Sequence, residues 1–359
     1  VDVIADGNPT QNLPVSVRKI ATTLELSAST VSLALRSSPK ISAATRDRVL
    51  CEAERIGYRP NAKLNELMSH LRLNGTRPCE ACFGVISFYD TLRPWEQSRH
   101  LTSIYESMHD RAEKLGYRLD SLGINAPGMS PSRFGSLLDA RGIEGLLCFG
   151  SPDFEQRFPK ELDHYAVVTL GLSISTPLHR VTSHFFNDLY SALDRLYAMG
   201  YRRPGLLLGE YEDSRSAHVY PSAYLGWCEQ VLGSYSLMPV LRTKELESSP
   251  IMDWAKQHRP DVIVCVHLYN EVVKLQKILN DNSLSVPGDI GIAAVSQLLE
   301  GTNLSGMQQN QKLMGAWAVE MLVSRIMNQD FGIPENPRIE MVESRWIEGE
   351  TLKASDWSG

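Results

Sequence analysis

Between residues 82 and 328 the sequence alternates short uninterrupted apolar runs with longer stretches of helical periodicity. This alternation restricts the fold more than any other feature. The runs are CFGVISF (82–88), GLLCFG (145–150), YAVVTLGL (165–172), GLLLG (205–209), VIVCVH (262–267) and IGIAAVS (290–296). A strand that is apolar on both faces must be covered on both sides, the condition of a parallel sheet between crossover helices. Helical patterns at about 96–116, 185–199, 268–280 and 312–328 supply the covers. So many units exceed one sheet of ordinary size, and the spacing predicts two doubly wound lobes.

The N-terminal region follows a different period. In VSVRKIATTLEL, Val17, Ile20, Ala21 and Leu24 recur at spacings of three and four, with Ser16 placed to cap. After Glu25-Leu26, Ser27 can cap a second short helix in which Val31, Ala34 and Leu35 face inward and Ala28, Ser29, Ser32 and Leu33 face out. A third helix begins after Ser42 with Val49, Leu50, Ala53 and Ile56 inward, and Gly57 ends it. Two short helices, a tight turn and a longer third helix form a helix-turn-helix unit. Its charge agrees: Arg18, Lys19, Arg36, Lys40, Arg46, Arg48, Arg55 and Arg59 outnumber Glu25, Asp47, Glu52 and Glu54, in a chain whose net charge is −6. A basic head on an acidic body is the asymmetry of a protein whose head alone meets nucleic acid.

The run VRKIATTLELSASTVSLALRSSPKISAATRDRVLCEAERIGYRPN resembles the head of the lactose-repressor (LacI/GalR) family of bacterial regulators. Its specific elements include Ile20-Ala21, Leu26-Ser27, Thr30-Val31-Ser32, Thr45-Arg46, Gly57-Tyr58 and Pro60-Asn61. The resemblance implies that the second helix enters the major groove. Ala28, Ser29 and Leu33 would then touch base edges, while Thr30, Ser32, Arg36 and Tyr58 would position the head on the backbone; Ser27 and Asn61 complete the candidate DNA-binding residues. A hinge helix in 60–79 would push Leu67 into the minor groove. Leu33 and Ala28 depart from the family, since neither can read a base by hydrogen bonds. Glu25 stands where the family usually has glycine.

The body resembles the family's effector domain, related in fold to periplasmic sugar-binding proteins, through LYAMGYRRPGLLLG, RPDVIVCV, VPGDIGIAAVS and LSGMQQNQKLMGAWAVEML. The implied organisation is a disordered tail (1–14), a helix-turn-helix domain (15–59), a hinge and linker (60–79), and an effector-binding and dimerisation domain (80–359). Within the latter, lobe one is expected at about 80–199 plus 300–329, and lobe two at about 200–299 plus 330–359. A small-molecule effector, a sugar or related metabolite, would lie between the lobes. Tyr89, Asp90, Trp95, Arg99, Tyr220, Asn270 and Gln297 are the candidate contacts. The charged sugar anchors of the family are missing: PSAYLGW lacks its arginine, HLYNE follows VIVCV, and Ser296-Gln297 replaces an acidic pair.

The implied partners are a double-stranded DNA operator and a second copy of the chain, with no membrane and no cofactor. No run of 18 apolar residues is present, and Asp2 and Asp6 sit where a secretion signal needs basic residues, so the expected site of action is the cytoplasm, at the bacterial nucleoid. Cys79 and Cys82 in CEAC have metal or dithiol spacing without a second pair; Cys51, Cys148, Cys228 and Cys265 read as core. His184 and His218 are placed where either could wall a pocket. No phosphate-binding glycine loop, nucleophile elbow or zinc-protease motif occurs. The main expectation is a regulator and not an enzyme; the alternative is a small-molecule-binding or enzymatic α/β protein with an accessory helical domain.

Overall fold

The computed structural model describes residues 17–35, 41–58, 81–153, 156–233, 240–267, 269–296 and 301–353. The tail 1–14, Ser16, Arg36, the hinge with Asn61 and Leu67, and Gln297 lie outside the described residues. The chain divides into two compact units, one holding the head and one the body.

The head consists of α1 (Val17–Leu24), α2 (Ala28–Leu35) and α3 (Ala43–Arg55). Ile20, Ala21, Val31, Ala34, Val49 and Ala53 form its core, flanked by Val17, Leu24, Leu26, Leu35, Ile56 and Tyr58. The helical period therefore selects the buried face as the sequence predicts, with two exceptions. Leu50 is 44% exposed and Cys51 is also exposed. Both lie on the outer side of α3, one and two positions past Val49, where a turn of 100° per residue carries them off the buried stripe.

Each helix boundary has a local cause. α1 stops at Glu25, which takes a left-handed φ of 55°, while Leu26 N–H closes back onto the Ala21 carbonyl at 2.9 Å. α3 starts from Ser42, whose hydroxyl accepts the Thr45 N–H at 3.3 Å. It ends in a Schellman turn: Gly57 at φ 69°, Gly57 N–H to Glu54 and Tyr58 N–H to Ala53.

The body begins with β1 (Ala81–Ser87), a 3-10 turn at Pro94–Glu96, α4 (Arg99–Lys114), β2 (Tyr117–Gly123), α5 (Pro131–Ala140), β3 (Gly145–Cys148), β4 (Ala166–Leu170) and β5 (His179–Ser183). Next come α6 (Phe185–Ala198), β6 (Pro204–Gly209), α7 (Glu210–Arg215), α8 (Val219–Leu232), β7 (Leu241–Thr243), α9 (Ser248–His258), β8 (Val262–Val266), α10 (Tyr269–Asp281), β9 (Gly291–Ser296) and β10 (Ser305–Gln308). The chain closes with α11 (Gln311–Met327), β11 (Ile339–Val342) and β12 (Arg345–Ile347).

These strands make two six-stranded sheets, ordered β11-β5-β4-β3-β1-β2 and β12-β10-β9-β8-β6-β7. All pairings are parallel except β10 with β12. The two-sided burial inferred from the apolar runs is visible along β8. Val262, Val264 and Val266 pack into one layer and Ile263 and Cys265 into the other. In lobe one, Leu147 enters one layer while Leu146 and Cys148 enter the opposite one. Close packing also explains Gly315 of α11: a side chain there would come within 2.3 Å of the Ile104 carbonyl of α4.

The lobe boundaries differ from the sequence expectation. The first crossing falls near residue 184 rather than 200, because Leu189, Leu193 and Leu196 of α6 belong to the second lobe's core with Trp227 and Val264. Strand β10 keeps the chain in lobe two up to Gln308, and α11 returns it, burying Met314, Val319 and Leu322 in lobe one. Strand β11 remains in lobe one beside β5, so the last crossing follows residue 342. Hydropathy marks where helices and strands lie but not which layer receives them.

Candidate functional site

On the head, the second helix carries the candidate contacts. Ser27 is its cap: its hydroxyl accepts the Thr30 N–H at 3.0 Å and lies 2.7 Å from both Ser29 Oγ and Thr30 Oγ1. Ser27, Ala28 and Ser29 are exposed, Thr30, Ser32 and Leu33 half-buried, and Val31 and Ala34 fully buried. The helix thus seats itself through two small apolar residues and turns a hydroxyl-rich, uncharged end outward. Tyr58 is half-buried against the head core. Exposed cations on the described head include Lys19 and Arg48. Glu52 and Arg55 are joined by two bonds of 2.7 Å, and that pairing holds the Glu52 carboxyl below its usual range.

In the body, two contiguous chambers lie where the strands' carboxyl ends face each other across the lobes. An inner chamber of about 400 Å³ is lined from lobe one by Tyr89, Phe149, Ser151, Gly171, Ser173 and Ser183, and from lobe two by Phe185, Tyr211 and Arg215. An outer chamber of about 510 Å³ carries Arg99, Glu106, Gln308, Lys312 and Arg345. His100 and Gln309 line both. The volume and placement are those of a small-molecule site at the carboxyl edge of doubly wound sheets.

Each lining residue is held by its element. Tyr89 follows β1, Phe149 and Ser151 follow β3, Gly171 and Ser173 follow β4, and Tyr211 and Arg215 ride on α7 after β6. Gly150 has φ 85°, and a Cβ there would meet Ser173 Oγ at 2.5 Å, the same oxygen that accepts the Ser151 N–H at 3.0 Å. The Arg215 guanidinium lies over the Tyr211 ring at 5.6 Å. Among the described residues it forms no ion pair.

Burial sets the protonation states. His100 is 8% exposed, and burial, with Arg215 nearby, pushes its pKa down to about 3. It is therefore neutral. Its Nδ1 lies 3.0 Å from the Gln311 amide nitrogen, an arrangement that makes Nδ1 the acceptor and leaves the proton on Nε2. Burial raises the Tyr89 hydroxyl to about 12, so it keeps its proton.

The sequence candidates divide. Tyr89 lines the inner chamber and Arg99 the outer one, so both reach the cleft. Asp90 and Asn270 are exposed, and neither lines a chamber. Trp95 is 4% exposed and stacks on Tyr105 with centroids 4.3 Å apart, tilted against Phe149. Its ring faces belong to the lobe-one core and are not open to a ligand. Tyr220, 2% exposed, packs behind Phe185 at 5.5 Å and supports that wall from within. His184 and His218 pair with Glu343 and Asp213 and leave the chambers to others. Of the cysteines, Cys148, Cys228 and Cys265 are buried as expected. No cluster of potential metal ligands occurs among the described residues. Sequence reasoning missed His100, Phe149, Ser151, Ser173, Tyr211 and Arg215. The usable signal was position: most of them stand just past the end of a strand.

Comparison with known proteins agrees with both units. Residues 16–61 match the model of the bacterial regulatory proteins of the lacI family, and residues 193–352 match a periplasmic binding protein-like domain. The chain is 21% identical over 352 residues to the HTH-type transcriptional repressor PurR of Haemophilus influenzae (strain PittEE), covering 91% of this chain and 95% of that protein. Over 53 residues, 15% of this chain and 16% of the relative, it is 49% identical to the HTH-type transcriptional regulator RafR of Escherichia coli. Among solved structures, the fold resembles a transcriptional regulator CelR–cellobiose complex (TM-score 0.55, 17% identity, 94% of this chain and 99% of that one). It also resembles a lac repressor dimer bound to operator and an anti-inducer (TM-score 0.54, 15% identity, 95% and 100%). A capped second helix on a three-helix head and a two-lobed body with a cleft accord with these matches: the head is similar to the bacterial regulatory proteins of the lacI family, and the larger part of the body to a periplasmic binding protein-like domain.

Proposed function

We propose that this protein is a ligand-responsive transcriptional regulator, in the manner of a repressor, that binds a pseudo-palindromic operator as a homodimer. The carrying observation is the outward face of α2, held by the Ser27 cap and seated by Val31 and Ala34. Two such heads on a two-fold axis require two half-sites in opposite orientation. Ala28, Ser29 and Leu33 are assigned to the groove, Thr30, Ser32, Arg36 and Tyr58 to positioning on the sugar–phosphate backbone, and Ser27 and Asn61 to the same DNA-facing surface. Leu67 is assigned to the minor groove. With no long polar side chain at Ala28 or Leu33, direct base reading is limited to hydroxyl and methyl contacts, and DNA shape carries much of the selection. The effector occupies the interlobe cleft, where Tyr89 and Arg99 of the sequence candidates remain. Effector and operator then influence each other by favouring the same or opposite lobe arrangements. A DNA-bound role puts the site of action at the bacterial nucleoid; no helix among the described residues is long and apolar enough to cross a membrane.

The test is selection from random duplex DNA with the full-length protein. Enrichment of a two-fold symmetric site, bound at one dimer per site and lost on Leu67→Ala, is the expected result. Enrichment of no symmetric site would overturn the dimeric-operator reading.

A further inference from the structure

The inner chamber pairs a guanidinium with neutral hydroxyls and amides and holds no negative charge. None of its described lining residues is an aspartate or glutamate. The Tyr89 hydroxyl keeps its proton, His100 is neutral, and the Arg215 guanidinium lies over the Tyr211 ring with Tyr89, His100 and Glu212 within reach of its charge. A neutral polyol needs acceptors for its hydroxyl protons, and carboxylates placed to take two adjacent hydroxyls are the usual solution. Here they are missing. Glu212, on the same helix as Arg215, is 5% exposed and does not line the chamber; Arg215 favours its charged form against burial, and its oxygen lies 3.9 Å from His267 Nδ1.

The outer chamber has the same sign. Arg99, Lys312 and Arg345 line it against the single carboxylate Glu106, although the chain as a whole has a net charge of −6. A cleft of one sign between low-dielectric walls raises the local concentration of the opposite charge. Tyr89, Phe149, Phe185 and Tyr211 supply flat apolar surfaces around Arg215. They suit the body of the ligand rather than its charge.

Resting on the reading of the cleft as the effector site, we infer that the effector is a small organic oxyanion, a carboxylate or phosphate on a compact body, and that Arg215 is the residue that fixes its charge. An oxyanion satisfies several donors at once, and a guanidinium binds it through two parallel bonds. A neutral sugar in the same place would bring Arg215 no negative charge, and no lining carboxylate of the chamber supplies one.

The experiment is thermal shift and calorimetry on the full-length protein with matched probes: glucose and glucose 6-phosphate, galactose and galacturonate, and inorganic phosphate alone. At least one acid is expected to bind about tenfold or more tightly than its neutral twin. Arg215→Gln should abolish that preference while leaving the unliganded melting temperature in place, and Arg215→Lys should retain part of it. Preference for glucose 6-phosphate identifies phosphate as the anion, and preference for galacturonate identifies carboxylate. Equal binding of the twins, a preference that survives Arg215→Gln, or no binding by any acid overturns the inference. A neutral sugar that binds and alters operator affinity would do so too, yet leave the regulator reading intact.

Discussion

The Nδ1 atom of His184 lies 2.9 Å from Oε1 of Glu343, and this contact joins the first and last passages of the chain between the lobes. The other oxygen of Glu343 accepts from Asn187 at 2.8 Å, so one carboxylate clasps the start of α6 to the segment after β11. The His184 hydrogen bond also holds the Glu343 carboxyl below its usual range. Its contribution is present above the unfolded carboxylate pKa and fades as pH falls through the lowered one. Glu343 is 63% exposed, so Glu343→Gln should cost less than about 1 kcal/mol at neutral pH, read from the melting temperature.

Asp188, one turn further along α6, has the opposite sign. It is 1% exposed, and burial, only partly opposed by hydrogen bonding from Ser344, raises its pKa to about 7. Between pH 4 and 7 the folded protein holds a proton that the unfolded chain has released, so this group lowers stability as pH rises through that window. Asp188→Asn should raise the melting temperature at pH 8, with the gain shrinking toward pH 4. A gain independent of pH would show that the benefit of asparagine does not come from removing the buried charge.

Ser27 separates folding from DNA contact. Ser27→Ala removes the cap of α2 and should cost about 1 kcal/mol of head stability. Ser27→Asp restores a capping acceptor but brings a negative charge toward the phosphates. It should therefore recover hydrogen-exchange protection in α2 while lowering operator affinity below that of the alanine variant. Equal affinity for the two variants would place Ser27 away from the DNA backbone.

Glu25 holds a left-handed backbone without being glycine. Glu25→Gly should stabilise the α1–α2 turn by about 1 kcal/mol. Exchange protection of the α1 amides should rise accordingly, by roughly fivefold.

Gly315 has the reverse requirement. Gly315→Ala forces a methyl group against the backbone of α4 and should destabilise the body by about 1–3 kcal/mol. The head should keep its own exchange pattern, because its core lies in a separate unit.

The strands that sequence reasoning found are those with continuous apolar runs: β1, β3, β4, β6, β8 and β9 end within two residues of their predicted limits. β2 escaped because YRLDSLG alternates with charge at the sheet edge. β5 escaped for another reason. Arg180 is buried there only because its guanidinium reaches the carbonyls of Leu178, Ile174 and Thr176, partners that no local pattern reveals. The cleft was harder still. Trp95 and Arg215 both follow strand ends, yet what decides between core and ligand is the neighbour on the ring face: Tyr105 covers Trp95, whereas Arg215 opens into the chamber. That choice depends on three-dimensional contacts between distant segments.

The interleaved path of the body also bears on how the protein is made. β5 ends at Ser183, but its neighbour β11 begins only at Ile339, after the whole of lobe two. The head core is complete by Tyr58. A growing polypeptide therefore displays a finished head on the ribosome long before lobe one can close its outer edge. Domains form as they emerge, N-terminal first. A chain interrupted anywhere between Tyr58 and Ile339 therefore keeps every residue of the head core while the first sheet lacks its β11 edge.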